Sequence, residues 1–468
     1  MANFSALNTG LSALIAHRKA AETISHNIAN VNTEGYSRRR VDLATEGIGA
    51  VAAVYSRGLN TGNGVQVTGI TRIRDDFLEA QYRNETASQA DIAGTSTVLG
   101  RIETAFPEPS DNGISEQLSA FWGSWDSVVN QPDSEAARQG VLSRAQALVQ
   151  QIHVADQQVR TVHDDAVQHV SDVVGQVNRY ATQIATLNGA IKAATVGGLE
   201  PNDLMDQRDQ LADKLTSLVG ASVQGGDYNE MQVFVGGRAL VYGTQHEDLQ
   251  AVQVTDPALT PLGFKRVEVQ WSIDNYPAQG VGGEAAGYIT GANVSAPNYV
   301  SRLDAVAAKL VSTVNTLHTT GTDLDGQTGL NFFDPVGTTA QTLALSSDVA
   351  GKPRAIAAAT TGQGQLDTGV AELLAGLKQS PTGADVVYRS MVTDLGTEVQ
   401  YYETQGAVQG SVVQRLDQDR KNVSGVNLDE EMVNLVAEQH AYSAAARVIT
   451  TVDEMLDTLI NRTGRVGL

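Results

Sequence analysis

The chain has 468 residues, enough for about two to four domains around a well-buried core. Its formal net charge of −21 repels nucleic acid and anionic membrane surfaces, and the basic residues are not segregated strongly enough to offset it. Cysteine is absent, which removes disulfides, Cys-ligated zinc and thiol catalysis together.

Aromatic residues are scarce beside abundant Ala, Val, Gln, Thr and Gly, a mix that suits long helices packed through small and β-branched side chains. Polar residues interrupt every apolar run of the N-terminus well short of the roughly 18 that would span a bilayer, and no basic segment precedes them. Neither a secretory signal nor an anchor is expected, so export would need another route.

Residues 4 to 31 are predicted as one helix. Leu7, Leu11, Leu14, Ala21, Ile24, Ile28 and Val31 recur at helical spacings, a stripe about 40 Å long and narrow enough to want a partner helix. The stretch "ISHNIANVNTEGYSRRR", residues 24 to 40, closes it, since Asn30, Asn32 and Gly35 tolerate the left-handed backbone that ends a helix. Residues 41 to 72 read as extended and Gly-punctuated. Helix resumes near Asp75 and stops at "PEPSDNG". Leu118, Phe121, Trp122, Trp125, Val128 and Val129 then mark the apolar face of a short helix.

From Ser134 to Thr195 no proline occurs, and Ile152, Val159, Ala166, Val173, Tyr180 and Leu187 repeat by sevens, with Val170, Val177, Ile184 and Ile191 alongside. That period predicts a long strut in a coiled-coil-like bundle. Another helix follows Pro201. The period then changes to two around Met231, Val233 and Val235 and again around Val267, Val269, Trp271 and Ile273, which predicts antiparallel strands. Helix is expected again over 297 to 318, an irregular stretch to 383, and helix to the end. There Leu428, Met432, Leu435, Tyr442, Ile449, Val452, Leu456 and Leu459 line a second terminal stripe.

The expected fold is therefore α+β and multidomain. Residues 1–40 with 426–468 would form a terminal coiled-coil domain. Residues 41–219 with 291–425 would form a helical bundle domain with some β structure, and 220–290 a β-rich inserted outer domain.

Candidate sites of chemistry are thin. No phosphate loop of the form GxxxxGK[ST] exists. His163 and His169 lie on opposite faces of the long helix and read as solvated polar positions. Asp323, Asp325 and Asp334 have calcium-loop spacing, but Thr328 stands where the sharp turn needs Gly, so a β-turn on "DLDG" is the better reading. Glu430 and Glu431 are adjacent on a helix and cannot flank one glycosidic bond; with Asp429 they suit a helix N-terminus. No catalytic residue, metal ligand or cofactor site is expected. The triplet Arg38 to Arg40 finds a counterpart inside the chain: residues 1 to 40 hold five basic and two acidic side chains, net +3, and 426 to 468 three basic and seven acidic, net −4. Arg38 to Arg40 are accordingly expected to face the acidic C-terminal segment.

These end segments carry a resemblance. The N-terminal stretch resembles the signature Ala-Asn-x-Asn-Thr-x-Gly-Tyr-x-Arg of flagellar rod, hook and hook-associated proteins through Ala29, Asn30, Asn32, Thr33, Gly35, Tyr36 and Arg38, with Glu34 where proline is common. "SGVNLDEEMVNLVAEQHAYSAAARVITTVDEMLDTLI" and the interior "PNDLMDQRDQLADKL" are similar to the FlgK family of hook-associated proteins. The resemblance implies a non-enzymatic junction between flagellar hook and filament, required for filament assembly and built as a ring of about eleven copies. Terminal helices would line the axis and β domains would face solvent. The implied partners are other copies of the chain, hook protein, the third hook-associated protein on the filament side, and an export chaperone on the C-terminal region; no nucleic acid and no membrane. The implied location is extracellular, after type III export without a cleavable signal peptide. The alternatives are another axial subunit, flagellin-like or the third hook-associated protein, and a secreted enzyme or adhesin on a flagellar scaffold.

Overall fold

The computed structural model describes residues 2–46 and 64–458. Helix α1 (Ala2–Ala29) is followed by a hairpin of β1 (Arg39–Thr45) and β2 (Val65–Arg72), then by α2 (Asp76–Thr104), α3 (Ile114–Asn130), α4 (Glu135–Val196) and α5 (Asn202–Val219). Six short strands follow: β3 (Ser222–Gly225), β4 (Met231–Val235), β5 (Arg238–Tyr242), β6 (Gln245–His246), β7 (Leu249–Val254) and β8 (Arg266–Trp271). They pair antiparallel as one four-stranded sheet in the order β3-β4-β5-β6 and a separate β7-β8 ribbon. Helix α6 (Gly283–Thr290) runs through a π turn (Gly291–Ser295) into α7 (Ala296–His318); α8 (Gly369–Gly376), α9 (Ala384–Ser424) and α10 (Leu428–Asp457) complete the described helices. The fold is α+β, mostly helix with small antiparallel sheets.

Helix starts obey simple capping. The carboxylate of Asp75 accepts from the N–H groups of Phe77 and Leu78, Ser134 from Ala137, and Asn427 from Asp429 and Glu430. Helix α4, with 62 residues, is the spine, roughly 93 Å long. Its heptad positions Ile152, Val159, Ala166 and Val173 are fully buried, whereas Tyr180 and Leu187 are only half-buried. A straight helix drifts about 20° per heptad, so a strict seven-residue series rotates out of the core and Val177, Ile184 and Ile191 take its place.

One contiguous core joins α2 to α9 with the strands, and no described residue of α1 or α10 belongs to it. The few aromatics are concentrated at one point. Phe121 packs 4.8 to 6.3 Å, centroid to centroid, from Trp122, Trp125, Phe332 and Phe333. The loop following α7 thereby closes over α3. Helix α8, read from the sequence as part of an irregular stretch, buries Val370, Ala371 and Leu374. The helix expected over 297 to 318 is α7, into which α6 runs through the π turn, and the last strand of the segment ends at Trp271, just short of Ile273. Glycines that suggest a loop serve close packing instead: a Cβ on Gly287 would lie 2.3 Å from the carbonyl of Asp91, and one on Gly291 2.7 Å from Val98.

Asparagine side chains bind the strands and the post-α7 loop to the helices. Asn178 of α4 donates to Leu249 O and accepts from Leu249 N, at 2.8 and 2.9 Å. Asn188 does the same to Met231 (2.7 and 3.0 Å), Asn293 of the π turn to Val267 (both 2.9 Å), and Asn315 to Phe333 (both 2.9 Å). Each amide stands in for a strand partner and satisfies one backbone N–H and one C=O that burial would otherwise orphan.

The histidines of α4 depart from the solvated positions expected of them. His163 is buried, 4.4 Å from the ring of Phe264, because the β-rich segment covers that side of the helix. His169 is half-exposed and bonds Glu284 at 2.6 Å. On the "DLDG" turn, the Asp323 carboxylate accepts from the N–H groups of Asp325 and Gln327, and Asp325 pairs with Arg354, so both are engaged by protein groups.

His318 is fully buried, with Nδ1 donating to Leu330 O and Nε2 accepting from Ala357 N at 2.9 Å. Burial, against the Leu330 bond and with Arg138 nearby, lowers its pKa to about 4 from an ordinary 6.5. The neutral ring is the folded form, so its contribution is whole above pH 6.5 and is lost as pH falls toward 4, about 3 kcal/mol in all. Thermal melts should fall across that window, and His318→Asn should flatten the fall.

Candidate functional site: the joint of the terminal helices

Helices α1 and α10 lie antiparallel, with Asn27 beside Glu431, His17 beside Glu438 and Gly10 beside Ile449. The seam is made of small and polar side chains. On α1 the buried positions are Gly10, Ala16, Ala20, Thr23 and Asn27; on α10 they are Glu431, Ala445 and Val452. A Cβ on Gly10 would sit 2.9 Å from Ile449 Cγ1, so the absence of a side chain there lets the isoleucine seat against the α1 backbone.

Of the apolar stripes read from the sequence, Val452 is buried in this seam and Ile449 seats on Gly10, while most of the others flank it. Leu7, Leu14, Ile24 and Ile28 are half-buried and Leu11 is 50% exposed. Val31 lies past the end of α1, in the turn. On α10, Leu435, Ile449 and Leu456 are half-buried, whereas Leu428, Met432 and Tyr442 face outward; Leu459 lies outside the described residues. Close approach of two backbones selects small residues, which a search for large apolar side chains passes over.

Between α1 and β1 the signature residues fold into a compact turn. Thr33 N–H donates to Asn30 O, Tyr36 N–H to Thr33 O, and Gly35 adopts φ +75°, where a Cβ would be strained and would also strike the side chain of Gln210. Gln210 of α5 donates to Glu34 O, tying the turn to the body. Asn32 lies in the turn and Ala29 ends α1. The Tyr36 hydroxyl donates to Asn27 Oδ1 at 2.7 Å, with His26 Nδ1 3.0 Å away and the Arg39 guanidinium 5.0 Å from its ring. Burial, tempered by Arg39, pushes the Tyr36 pKa up to about 12, so the hydroxyl remains a donor.

The three arginines part company. Arg38 alone meets the C-terminal helix, through Nη1 to Glu430 at 3.1 Å and Nε to Glu431 at 2.9 Å. Arg39 turns to Asp203 and Asp206 of α5, and Arg40 to Asp42 on its own strand. Arg39 and Arg40 are successive residues of β1 and point to opposite faces, and Arg38 lies just before the strand, so the triplet does not address one partner. Behind the joint, Arg72 bonds Asp206 (2.9 Å) and Asp209 (2.6 Å), Arg74 bonds Asp209 and Glu79, and Arg420 bonds Glu79 and Asp213 (both 2.9 Å). The hairpin, α2, α5 and α9 are thus locked together by alternating charges.

Nothing in the sequence singles out Asn27, and Glu431 reads there only as one acid of a helix N-terminus. Asn27 continues the small-residue seam at the spacing 16, 20, 23, 27, a pattern visible only once the seam is known. Together fold and joint define a largely helical chain whose first and last described helices are brought into one pair.

Comparison with known proteins identifies the class. The model of the flagellar hook-associated protein FlgK helical domain matches residues 99–333, that of the flagella basal body rod protein residues 7–36, and that of the flagellar basal body rod FlgEFG protein C-terminal residues 420–462. The chain is 30% identical to flagellar hook-associated protein 1 of Bacillus subtilis over 99% of both chains, and 26% identical to that of Escherichia coli over 98% of this chain and 99% of the other. The structure of the flagellar hook junction protein FlgK from Burkholderia pseudomallei superposes with a TM-score of 0.62 at 16% identity, over 74% of this chain and all of that one, a likeness of fold. The chain belongs to the flagellar hook-associated protein 1 (FlgK) family. Membership places it among the structural components of the flagellum.

Proposed function

We propose that the chain is a non-enzymatic subunit of the junction between hook and filament. It assembles through its terminal helix pair into a ring of about eleven copies. The observation that carries this reading is the outer surface of the pair: Leu11 and Ile15 on α1 and Val433 and Val436 on α10 are 47 to 69% exposed in the single chain. Two helices with apolar side chains on their outward faces call for further copies to cover them. Flanking surfaces of the ring meet hook protein on one side and the third hook-associated protein on the other, while the strands of 222–271 lie outermost. The subunit reaches its extracellular place by type III export, and a chaperone shields α10 beforehand.

Deleting the gene tests the role. Hooks should still assemble but lack filaments, with flagellin shed into the medium. Normal filaments in the deletion strain would remove the junction role.

A further inference from the structure

We propose that Asn27 and Glu431 form the lock that holds both terminal helices at one angle to the body. The lock goes beyond the junction reading above, to which it adds that a subunit closing a ring must present its helix pair in one direction. It is a property of the isolated chain, however, and stands or falls independently of assembly.

The pair is joined to the body through two short connections, residues 30–38 and 425–427, and farther along α1 Ser12 Oγ accepts from the hairpin, from Val65 N–H at 3.2 Å. Neither α1 nor α10 contributes a described residue to the main core, so apolar packing there does not fix their direction. Asn27, 1% exposed, uses every hydrogen-bonding position of its side chain. Its Oδ1 accepts from the Tyr36 hydroxyl (2.7 Å) and the Arg39 N–H (3.0 Å), and its Nδ2 donates to Arg39 O and Glu431 Oε2, both at 2.9 Å. It clamps the first residue of β1 in the way Asn178 and Asn293 clamp β7 and β8.

Arg39 in turn plants its guanidinium on Asp203 and Asp206 of α5. Glu431, 2% exposed, closes the other side by bonding Arg38 Nε, and the Arg38 backbone accepts from Ile73 N–H and donates to Ser424 O at the end of α9 (both 2.8 Å). A continuous path therefore runs from α10 through Glu431 and Asn27 to α1, β1 and the body. Swivelling the pair would pull a buried carboxylate and amide from their partners, which is costly in a site shielded from water. A buried amide and carboxylate whose oxygens and N–H groups are all engaged, as those of Asn27 and Glu431 are, specify one arrangement where small-residue packing alone permits several.

The cysteine-free chain allows the test by paired spin labels. One label pair spans the terminal helices and the body (Arg18→Cys on α1, Gln168→Cys on α4); the other lies within the helix pair (Arg18→Cys, Ser443→Cys on α10). In the parent chain both distance distributions should be narrow. In the variant carrying Asn27→Ala with Glu431→Ala, the distribution between pair and body should broaden at least about twofold, while that within the pair stays narrow and the bundle melts as before. An unchanged distribution between pair and body would overturn the proposal. So would broadening within the pair, which would show that the two residues hold the helices to each other instead of aiming them. Glu431→Gln, which keeps the shape and one hydrogen bond, should lie between parent and double variant; a Gln variant as broad as the Ala variant would also count against it.

Discussion

Ile449→Asp should separate the terminal helices and abolish filament retention while leaving the thermal melting of the central body unchanged. Ile449 seats on Gly10, where no side chain intervenes between the two backbones. A carboxylate there would have to leave water for a contact offering it no donor, at a cost of about 2 to 4 kcal/mol. A two-helix pair has little stability to lose, because isolated helices of about 30 residues depend on packing more than on propensity. The body should be indifferent, since the contiguous core runs from α2 to α9 without either terminal helix. Gly10→Val should act in the same direction from the other side, its Cβ falling within 2.9 Å of Ile449 Cγ1. Loss of motility with an unchanged body melt is the expected pair of results; retained filaments in both variants would take the seam out of the mechanism.

Asp209→Ala should destabilise the body by about 3 to 5 kcal/mol, read as a lowered midpoint in denaturant. Asp209 is buried between Arg72 and Arg74, and removing it leaves two guanidinium groups facing each other without the shared anion. Burial raises the carboxyl pKa, but Arg74 and Arg72 outweigh it and hold the group below the ordinary carboxylate range. The sign follows: the folded state prefers the ionised form, so this contribution is present above the unfolded carboxyl pKa near 4 and is lost as pH falls below it. The parent chain should therefore lose stability in two windows on acidification, between about pH 6.5 and 4 from His318 and below about 4 from Asp209. The Asp209→Ala variant should retain the first loss and show a shallower second.

Much of this architecture is legible in the sequence because helical and strand periods are local. The run without proline gives α4, and alternation around Val233 and Val267 gives β4 and β8. What escapes has tertiary causes. Gly287 and Gly291 look like turn residues until α2 is seen pressing against them, and α8 has only eight residues, too few for its period to stand out. Asn188 and Asn27 look like surface residues in a helix, because an amide that clamps a strand has no sequence-local signature. The joint is half legible: the turn from Asn30 to Gly35 and the pairing of Arg38 with the acidic segment follow from residue chemistry. The course of Arg39 to α5 does not, since it depends on which face of β1 meets the body.

Assembly through the terminal helix pair requires that its outward faces become buried when copies come together, while the strand-bearing segment stays open to solvent. Because the chain has no cysteine, Val433→Cys and Tyr242→Cys, both at positions well exposed in the single chain, can each be titrated with a charged maleimide before and after assembly onto hooks. The thiol introduced at position 433 should react in the free subunit and be protected in the assembled flagellum, and the thiol at position 242 should react in both. Equal labelling at position 433 in the two states would contradict assembly through this face.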